Sequence, residues 1–353
     1  MRVVLTGGGT GGHVIPNFAV IEELKKQKKT EILYIGSANG VEKSMVEKIG
    51  IPYKSVACGK LRRYFSIDNL IDIFKVPVGI FQAWRILKKY RPDVVFSKGG
   101  FVSVPVVIAA SWIGVQVIIH ESDVRPGLAN RICARYADKI CISFEETKKY
   151  LHKWTRKIIL TGNPVRKSIL DGNVENGYKF TGLDKHRPVI LVMGGSQGAQ
   201  QINELVRGGM NELLKRFQIV HICGRGNLDM SLHKKGYVQY EFLNEQMKDV
   251  YSISELVISR GGANSLAEIA ALKKKALVIP LGTAASRGDQ IENAQIFSRK
   301  LGWGVMVGDV QVEDFIKAVE MVNRNKLNVS EKFRNGVYDI VKLILKAGKG
   351  KSE

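Results

Sequence analysis

Short apolar, β-branched runs alternate with longer stretches of helical periodicity along the whole chain. Val3–Leu5, Ile32–Ile35, Val94–Phe96, Val115–Ile119, Ile140–Ile142 and Ile158–Leu160 form a first set of runs. Val189–Met193, Ile219–Cys223, Leu256–Ile258 and Leu277–Pro280 form a second. Continuous apolar runs between helices predict strands covered on both faces, hence parallel sheets. The pattern is that of doubly wound α/β architecture. Phe101 to Ile119 is apolar enough to suggest a membrane span, but Pro105, Ser111, Gly114 and Gln116 interrupt it. It reads as a buried helix, a stop at Gly114 and a buried strand.

The chain also repeats itself. Val94-Val95-Phe96-Ser97-Lys98-Gly99-Gly100 resembles Leu256-Val257-Ile258-Ser259-Arg260-Gly261-Gly262, and Val3–Gly12 resembles Val189–Ala199, in the same order. With 353 residues to distribute, this predicts two Rossmann-type halves in tandem. The expected division is an N-terminal domain over 1–164, a C-terminal domain over 165–330, and a last helix with a frayed tail over 331–353. The seam is expected at Gly162-Asn163-Pro164, where proline ends regular structure and glycine gives freedom to hinge. Phe333, Val337, Ile340, Val341 and Ile344 form one helical stripe, so the last helix must dock on a domain.

Lys and Arg number 54 against 33 Asp and Glu, a net charge of +21. That excess requires an anionic partner, substrate or surface. Basic residues are spread along the chain without an interleaved aromatic–basic stacking motif, which argues against nucleic acid. Cys58, Cys133, Cys141 and Cys223 form no C-x-x-C pair and lie in or beside apolar runs, as expected of reduced, buried thiols. Met1-Arg2 leads directly into a strand and glycines, a pattern unlike a signal peptide.

Gly7-Gly8-Gly9-Thr10-Gly11-Gly12 follows the first strand and precedes a helix expected over Asn17–Lys26. Gly7, Gly9 and Gly12 fit G-x-G-x-x-G, a loop that brings N–H groups to an anion. The second strand ends Ile35-Gly36-Ser37-Ala38 without the acid that holds a dinucleotide's ribose, so NAD is disfavoured. Glycines serving only close packing are the alternative. His13 stands at the strand-to-helix turn, on the edge that faces the ligand crevice, and suits a general base; a helix cap is the alternative.

Gly194-Gly195-Ser196-Gln197-Gly198-Ala199 matches the G-x-S-x-G of hydrolases, but no suitable late histidine follows, and a phosphate cradle fits better. Ser259-Arg260-Gly261-Gly262-Ala263-Asn264 opens a helix expected over Ser265–Leu272, where Glu268 could accept two ribose hydroxyls or serve the helix dipole. The sequence has no D-x-D, H-E-x-x-H or P-loop motif, which implies a metal-free site whose anionic charge is met by helix N-termini and Arg or Lys. Lys60 to Lys89 interleaves bulky apolar residues, Phe74, Phe81 and Trp84 among them, with Arg62, Arg63 and other cations. Such a stretch suits an anionic lipid surface, or equally a core helix with a basic solvated side.

Seven segments in order carry a resemblance that covers nearly the whole chain. They are T-G-G-G-T-G-G-H-V-I-P (Thr6–Pro16), K-G-G-F-V-S-V-P (Lys98–Pro105), H-E-S-D-V-R-P-G-L-A-N-R (His120–Arg131), T-G-N-P-V-R (Thr161–Arg166), G-G-S-Q-G-A (Gly194–Ala199), S-R-G-G-A (Ser259–Ala263) and D-Q-I-E-N-A (Asp289–Ala294). Together they resemble the GT-B glycosyltransferases of family 28 type. The resemblance implies two Rossmann-like domains with parallel sheets facing across a cleft, and a C-terminal helix. It implies inverting transfer of GlcNAc from UDP-GlcNAc to the MurNAc 4-hydroxyl of undecaprenyl-diphosphate-linked MurNAc-pentapeptide (lipid I to lipid II). No cofactor, metal or nucleic acid is implied, and the location is the cytoplasmic face of the cell membrane, peripherally bound.

On the donor side, the resemblance places Leu243 at uracil, Glu268 at the ribose, and Ser196, Arg166 and the Ala263 amide near the uridine or diphosphate. Asp289 and Gln290 fall at the GlcNAc hydroxyls. Gln197, Gly198, Arg260 and Asn264 complete that side, with Thr10, Gly11, Gly12 and Asp123 contributed by the N-terminal half. The acceptor side is His13, Thr10, Gly99, Gly100, Phe101, His120 and Glu121. The base is His13, with Asp123 and Glu121 as further catalytic candidates. Some relatives have Asn at Asp123, Gln at Asp289 and Ser at Gly261; the first change adds a carboxylate, the last removes a hydroxyl. UDP-GlcNAc 2-epimerases also use two Rossmann halves and are the nearest rival.

Overall fold

The structure is a computed structural model that describes residues 1–27, 30–59, 67–194, 199–282, 288–328 and 333–349, with only the backbone described for 67–74 and 349. The chain forms two units, one of residues 1–166 with 334–353, the other of 167–333.

The first unit runs β1 (Arg2–Thr6), α1 (Gly11–Lys25), β2 (Glu31–Gly36), α2 (Val41–Lys48), β3 (Tyr53–Ser55), α3 (Ile67–Tyr90), β4 (Val94–Ser97), α4 (Ser103–Trp112), β5 (Gln116–Glu121), α5 (Leu128–Tyr136), β6 (Lys139–Ile142) and β7 (Ile158–Leu160). Its seven strands lie in the order β3-β2-β1-β4-β5-β6-β7, every pair parallel. The second runs α6 (Lys167–Leu170), α7 (Val174–Thr181), β8 (Val189–Met193), α8 (Gln200–Leu213), β9 (Gln218–Ile222), β10 (Tyr237–Tyr240), α9 (Met247–Ile253), β11 (Ser254–Ser259), α10 (Ala263–Ala271), β12 (Lys275–Val278), α11 (Asp289–Leu301), β13 (Gly304–Val305) and α12 (Val312–Arg324). Its sheet is β10-β9-β8-β11-β12-β13, again parallel. The repeated segments occupy equivalent places: β1 and β4 are central in one sheet as β8 and β11 are in the other. In both, the strand order reverses between them, which puts a topological switch point at the loops that follow.

Alternation along each strand explains the double covering. Val4 and Val95 face a cluster with Ala83 and Leu87 of α3 and Val106, Val107 and Ala110 of α4. Val3, Leu5, Val94 and Phe96 face the other way, onto Val14, Val20 and Leu24 of α1. The last helix, α13 (Val337–Lys349), lays Val337, Ile340, Val341 and Ile344 onto that second cluster, so it completes the N-terminal core. The stretch from 101 to 119 is α4, a turn at Gly114 and β5. Among the described residues no helix is long and apolar enough to cross a membrane. Cys133, Cys141 and Cys223 are buried, Cys58 is half-buried, and all four are unbridged.

Two helix starts differ from expectation. α1 begins at Gly11, so Gly11, Gly12 and His13 form its first turn behind an extended Thr10. α8 begins at Gln200, and α10 at Ala263 instead of Ser265. At Gly162 φ is +84°, and a Cβ there would lie 2.1 Å from the Arg334 carbonyl. The glycine lets the incoming chain of α13 cross closely. There Asn335 accepts from the Val165 N–H and donates to the Val165 carbonyl, both at 3.0 Å.

Beneath the ends of β4 and β5 lies a buried polar cluster. Lys98 is 2% exposed and its ammonium donates to Ser122 Oγ, which donates to Asn163 Oδ1 at 2.9 Å. His120 is fully buried and gives its Nε2–H to the Gly162 carbonyl at 3.0 Å. Burial, helped by the Lys98 charge, pushes the His120 pKa far down, so the ring is neutral. Burial also pulls Lys98 down to about 8, against the opposing pull of Glu121 and Asp123.

A lysine whose folded pKa lies below its unfolded 10.5 weakens the fold while protonated. That penalty is full below pH 8 and disappears as pH rises from about 8 to 10.5. Wild-type stability relative to Lys98→Met should therefore climb through this window by up to about 3 kcal/mol, read by urea unfolding at each pH. A pH-independent difference between the two proteins would contradict it.

Candidate active site

In the N-terminal unit the loops after β1 and β4 meet. The Gly8 N–H donates to the Gly99 carbonyl at 3.3 Å. A Cβ on Gly100, whose φ is +82°, would lie 2.2 Å from the Gly8 carbonyl and 3.3 Å from His13 Nδ1. Only glycine permits that approach. His13 is half-buried in the first turn of α1, and its Nδ1 lies 3.0 Å from the exposed Thr10 hydroxyl. If Nδ1 donates to Thr10, Nε2 keeps the lone pair that can accept a proton. His13, Thr10 and Gly100 are thus brought together, with Gly99 and Phe101 flanking.

The glycine loop is braced from within. Tyr34 OH donates to the Gly7 carbonyl at 2.5 Å, and the Gly9 N–H donates to Glu42 Oε2 at 3.1 Å. The Gly8 and Gly9 amides, expected to face an anionic ligand, are used inside the unit. Glu42 was not singled out in the sequence, because it stands six residues beyond the end of β2, on α2.

Two acceptor-side candidates are buried. His120 is enclosed in the core with its ring hydrogen-bonded to Gly162. Glu121 is 5% exposed, and both its oxygens are engaged: Oε1 accepts the Asp123 N–H at 3.0 Å, Oε2 the Gly127 N–H at 3.0 Å and Asn130 Nδ2 at 2.9 Å. That carboxylate shapes the 121–127 turn and is unsuited to proton transfer. The turn carries Asp123, half-buried and close enough to feel the Lys98 charge.

In the C-terminal unit a cavity of about 380 Å³ is lined by Gly194, Gln200, Gln201, Arg260, Ser265 and Gln290, among others. Two helices begin there: Ala199 and Gln200 open α8, and Gly262 precedes Ala263, Asn264 and Ser265 of α10. N-termini of helices carry unpaired N–H groups and partial positive charge. Arg260 is held by Nη1 donation to Gln201 Oε1 at 2.9 Å and the Ile279 carbonyl at 3.0 Å. Gln290, at the start of α11, accepts the Leu281 N–H at 3.1 Å. A Cβ on Gly261 would lie 2.4 Å from the Gln290 carbonyl, so a serine there would require α11 to move.

Arg260 and Gln290 line the cavity; Ala263, Asn264 and Asp289 stand in the first turns of α10 and α11. Glu268 lies further along α10, and Leu243 is buried in the segment after β10; neither lines the cavity. Arg166 is half-buried and belongs to the N-terminal unit. Ser196, Gln197, Gly198, Arg62, Arg63 and the side chain of Phe74 lie outside the described residues. Gln201 and Ser265 were missed; their helical spacing carries no sign that a first turn opens on a cavity. Among the described residues no three His, Cys, Asp or Glu side chains converge to hold a metal.

Comparison with known proteins places both halves. The glycosyltransferase family 28 N-terminal domain matches residues 3–142, and the family 28 C-terminal domain matches residues 189–344. A Bacillus cereus protein named UDP-N-acetylglucosamine–N-acetylmuramyl-(pentapeptide) pyrophosphoryl-undecaprenol N-acetylglucosamine transferase 2 is 51% identical over 92% of this chain and 92% of its own length. A Clostridium botulinum protein named as the same transferase is 47% identical over 98% of this chain and 99% of its own. Among solved structures, Acinetobacter baumannii MurG superposes with a TM-score of 0.73 at 23% identity, over 98% of this chain and 99% of that one. A Methanocaldococcus jannaschii UDP-GlcNAc 2-epimerase superposes with a TM-score of 0.66 at 16% identity, over 98% and 100%. These two likenesses establish the two-domain GT-B type of fold. Since both family domains match in order, and relatives about half identical run nearly end to end, this chain belongs to glycosyltransferase family 28.

Proposed function

We propose that this chain transfers GlcNAc from UDP-GlcNAc to the MurNAc 4-hydroxyl of undecaprenyl-diphosphate-linked MurNAc-pentapeptide, with inversion. The observation that carries the reading is the 47–51% identity, across both halves, to relatives named for that transfer. The epimerase is alike in fold at 16% identity, which carries no activity with it.

The chemistry fits the two sites. His13 Nε2 takes the acceptor hydroxyl's proton while Thr10 holds Nδ1. The oxygen attacks the anomeric carbon opposite UDP, the bond to the diphosphate breaks, and the α linkage becomes β. Charge developing on the departing diphosphate is met by Arg260 and the N-termini of α8 and α10. Asp123 is the alternative base. No divalent cation enters this scheme, consistent with a sequence that has no D-x-D.

The acceptor's polyprenyl chain brings the enzyme to the cytoplasmic face of the membrane. α3 supports this. Ala83 and Leu87 anchor it in the core, while Val78 and Phe81 are exposed beside Lys75, Arg85, Lys88 and Lys89. Phe81 stacks on the half-buried Trp84 at 5.8 Å, and Lys88 lies over the Trp84 ring at 4.7 Å. On α4, Trp112 is exposed as well.

Incubated with UDP-GlcNAc, the protein should release UDP only when a lipid I analogue is present. Acceptor-independent release of UDP or ManNAc would support an epimerase instead. His13→Ala should lower kcat by about 10²–10⁴-fold with little change in the KM for UDP-GlcNAc. A loss below about tenfold would transfer the role to Asp123, tested by Asp123→Asn.

UDP should raise the melting temperature as much in EDTA as in Mg²⁺. Complete dependence on Mg²⁺ would defeat the metal-free scheme.

Wild type should co-sediment with anionic vesicles and be released by salt, each basic residue near the surface adding about 1 kcal/mol. Phe81→Ser/Trp112→Ser should bind less, yet still turn over a water-soluble acceptor. Wild-type sedimentation of that variant would place the membrane face elsewhere.

A further inference from the structure

Glu42 belongs to no motif, yet it occupies the centre of the N-terminal site's foundation. It is fully buried at the start of α2. Its Oε1 accepts the Ser37 N–H at 3.0 Å and the Ser37 hydroxyl at 2.5 Å, and its Oε2 accepts the Gly9 N–H at 3.1 Å. A Cβ on Gly8 would lie 2.5 Å from the Glu42 carboxyl carbon, and one on Gly40 would lie 2.2 Å from Oε2. The two glycines leave room for this carboxylate and for nothing larger. Tyr53, whose hydroxyl donates to the Ser37 carbonyl at 2.6 Å, closes the same corner, and burial with the nearby Glu42 charge keeps that phenol protonated.

A glycine loop leading into a helix N-terminus is a site for an external anion. Here a side chain of the protein supplies the negative charge. Gly9 is bound to it directly, and Gly9 is followed at once by Thr10, whose hydroxyl meets His13. From these contacts we infer that Glu42 is a positioning residue for the transfer: its carboxylate fixes the Gly9 peptide and, through it, the Thr10–His13 pair. The inference rests on the proposed transferase reading for its kinetic part only. Its structural part concerns the free protein.

Glu42→Gln is the informative change, because it keeps the shape but turns an amide N–H toward N–H donors that need an acceptor. In ¹⁵N-labelled free protein, Gly9 amide exchange should accelerate by about tenfold or more. Donation from His13 Nδ1–H to Thr10 would select one tautomer of the wild-type ring, and Glu42→Gln should shift it toward a mixture. If wild type turns over lipid I analogue, kcat should fall about tenfold or more with little change in the KM for UDP-GlcNAc, because Glu42 lies outside the C-terminal cavity lined by Arg260 and the starts of α8 and α10. A merely structural loss would lower stability without that split. Wild-type Gly9 exchange and a single His13 tautomer in Glu42→Gln would overturn the inference, whatever the activity. An inactive wild type would sink the transferase reading while leaving the exchange and tautomer results to decide on Glu42. If Glu42→Gln does not fold, Ser37→Ala, which removes only one donor to Oε1, should shift both NMR readouts in the same direction by less. No shift there would then count as refutation.

Discussion

The hydrogen bond from the Gly8 amide to the Gly99 carbonyl ties together the loops that leave the two central strands of the N-terminal sheet. Where strand order reverses, the connections leaving the two adjacent parallel strands run to opposite faces of the sheet, and a crevice opens outside the strand ends. In this unit the two loops are drawn back together across it. The absence of a side chain at Gly100 makes that approach possible, since a Cβ there would lie 2.2 Å from the Gly8 carbonyl and 3.3 Å from His13 Nδ1. The Lys98 cluster joins the ends of β4, β5 and β7 through Ser122 to Asn163.

The two halves share a topology and use it differently. In the N-terminal half the glycine-loop amides are satisfied by Gly99 and Glu42, and the surface offered is a histidine and a hydroxyl. In the C-terminal half, the helix starts of α8 and α10 face a cavity beside Arg260. One edge suits proton transfer and the other suits an anion, as expected for joining an alcohol to a sugar that departs from a diphosphate.

Central strands were legible because burial on both faces writes them as unbroken apolar runs. The edge strands β3, β10 and β13 were not. Tyr53–Ser55 and Gly304–Val305 are too short and too exposed to carry a pattern, and Tyr237–Tyr240 is a four-residue run interrupted by Gln239. The start of α1 was misplaced because Gly11 and Gly12 are poor helix formers, and the fold overrides that preference. Within the site, His13, Gly100, Arg260 and Gln290 could be named from motifs. Glu42 could not: its partners Gly9 and Ser37 are joined to it through β2 and the turn into α2, a proximity with no local signature. For His120 and Glu121 the motif identified residues that matter but not how, since burial decides whether a histidine or a carboxylate meets substrate or backbone.

The docking of α13 has a consequence for how the chain is made. The family's C-terminal domain model runs on to residue 344, yet the stripe of Val337, Ile340, Val341 and Ile344 belongs to the N-terminal core. The N-terminal unit, most of which is translated before the 167–333 unit, therefore cannot finish its core until α13 arrives. The intervening 167–333 unit, whose strands and helices are contiguous in sequence, has no such wait and is free to close first. During synthesis the parts of α1 and β4 that α13 covers stand open for the time needed to translate everything between. In that interval a nascent chain of this family offers a ready target to chaperones or to its own neighbours on a polysome.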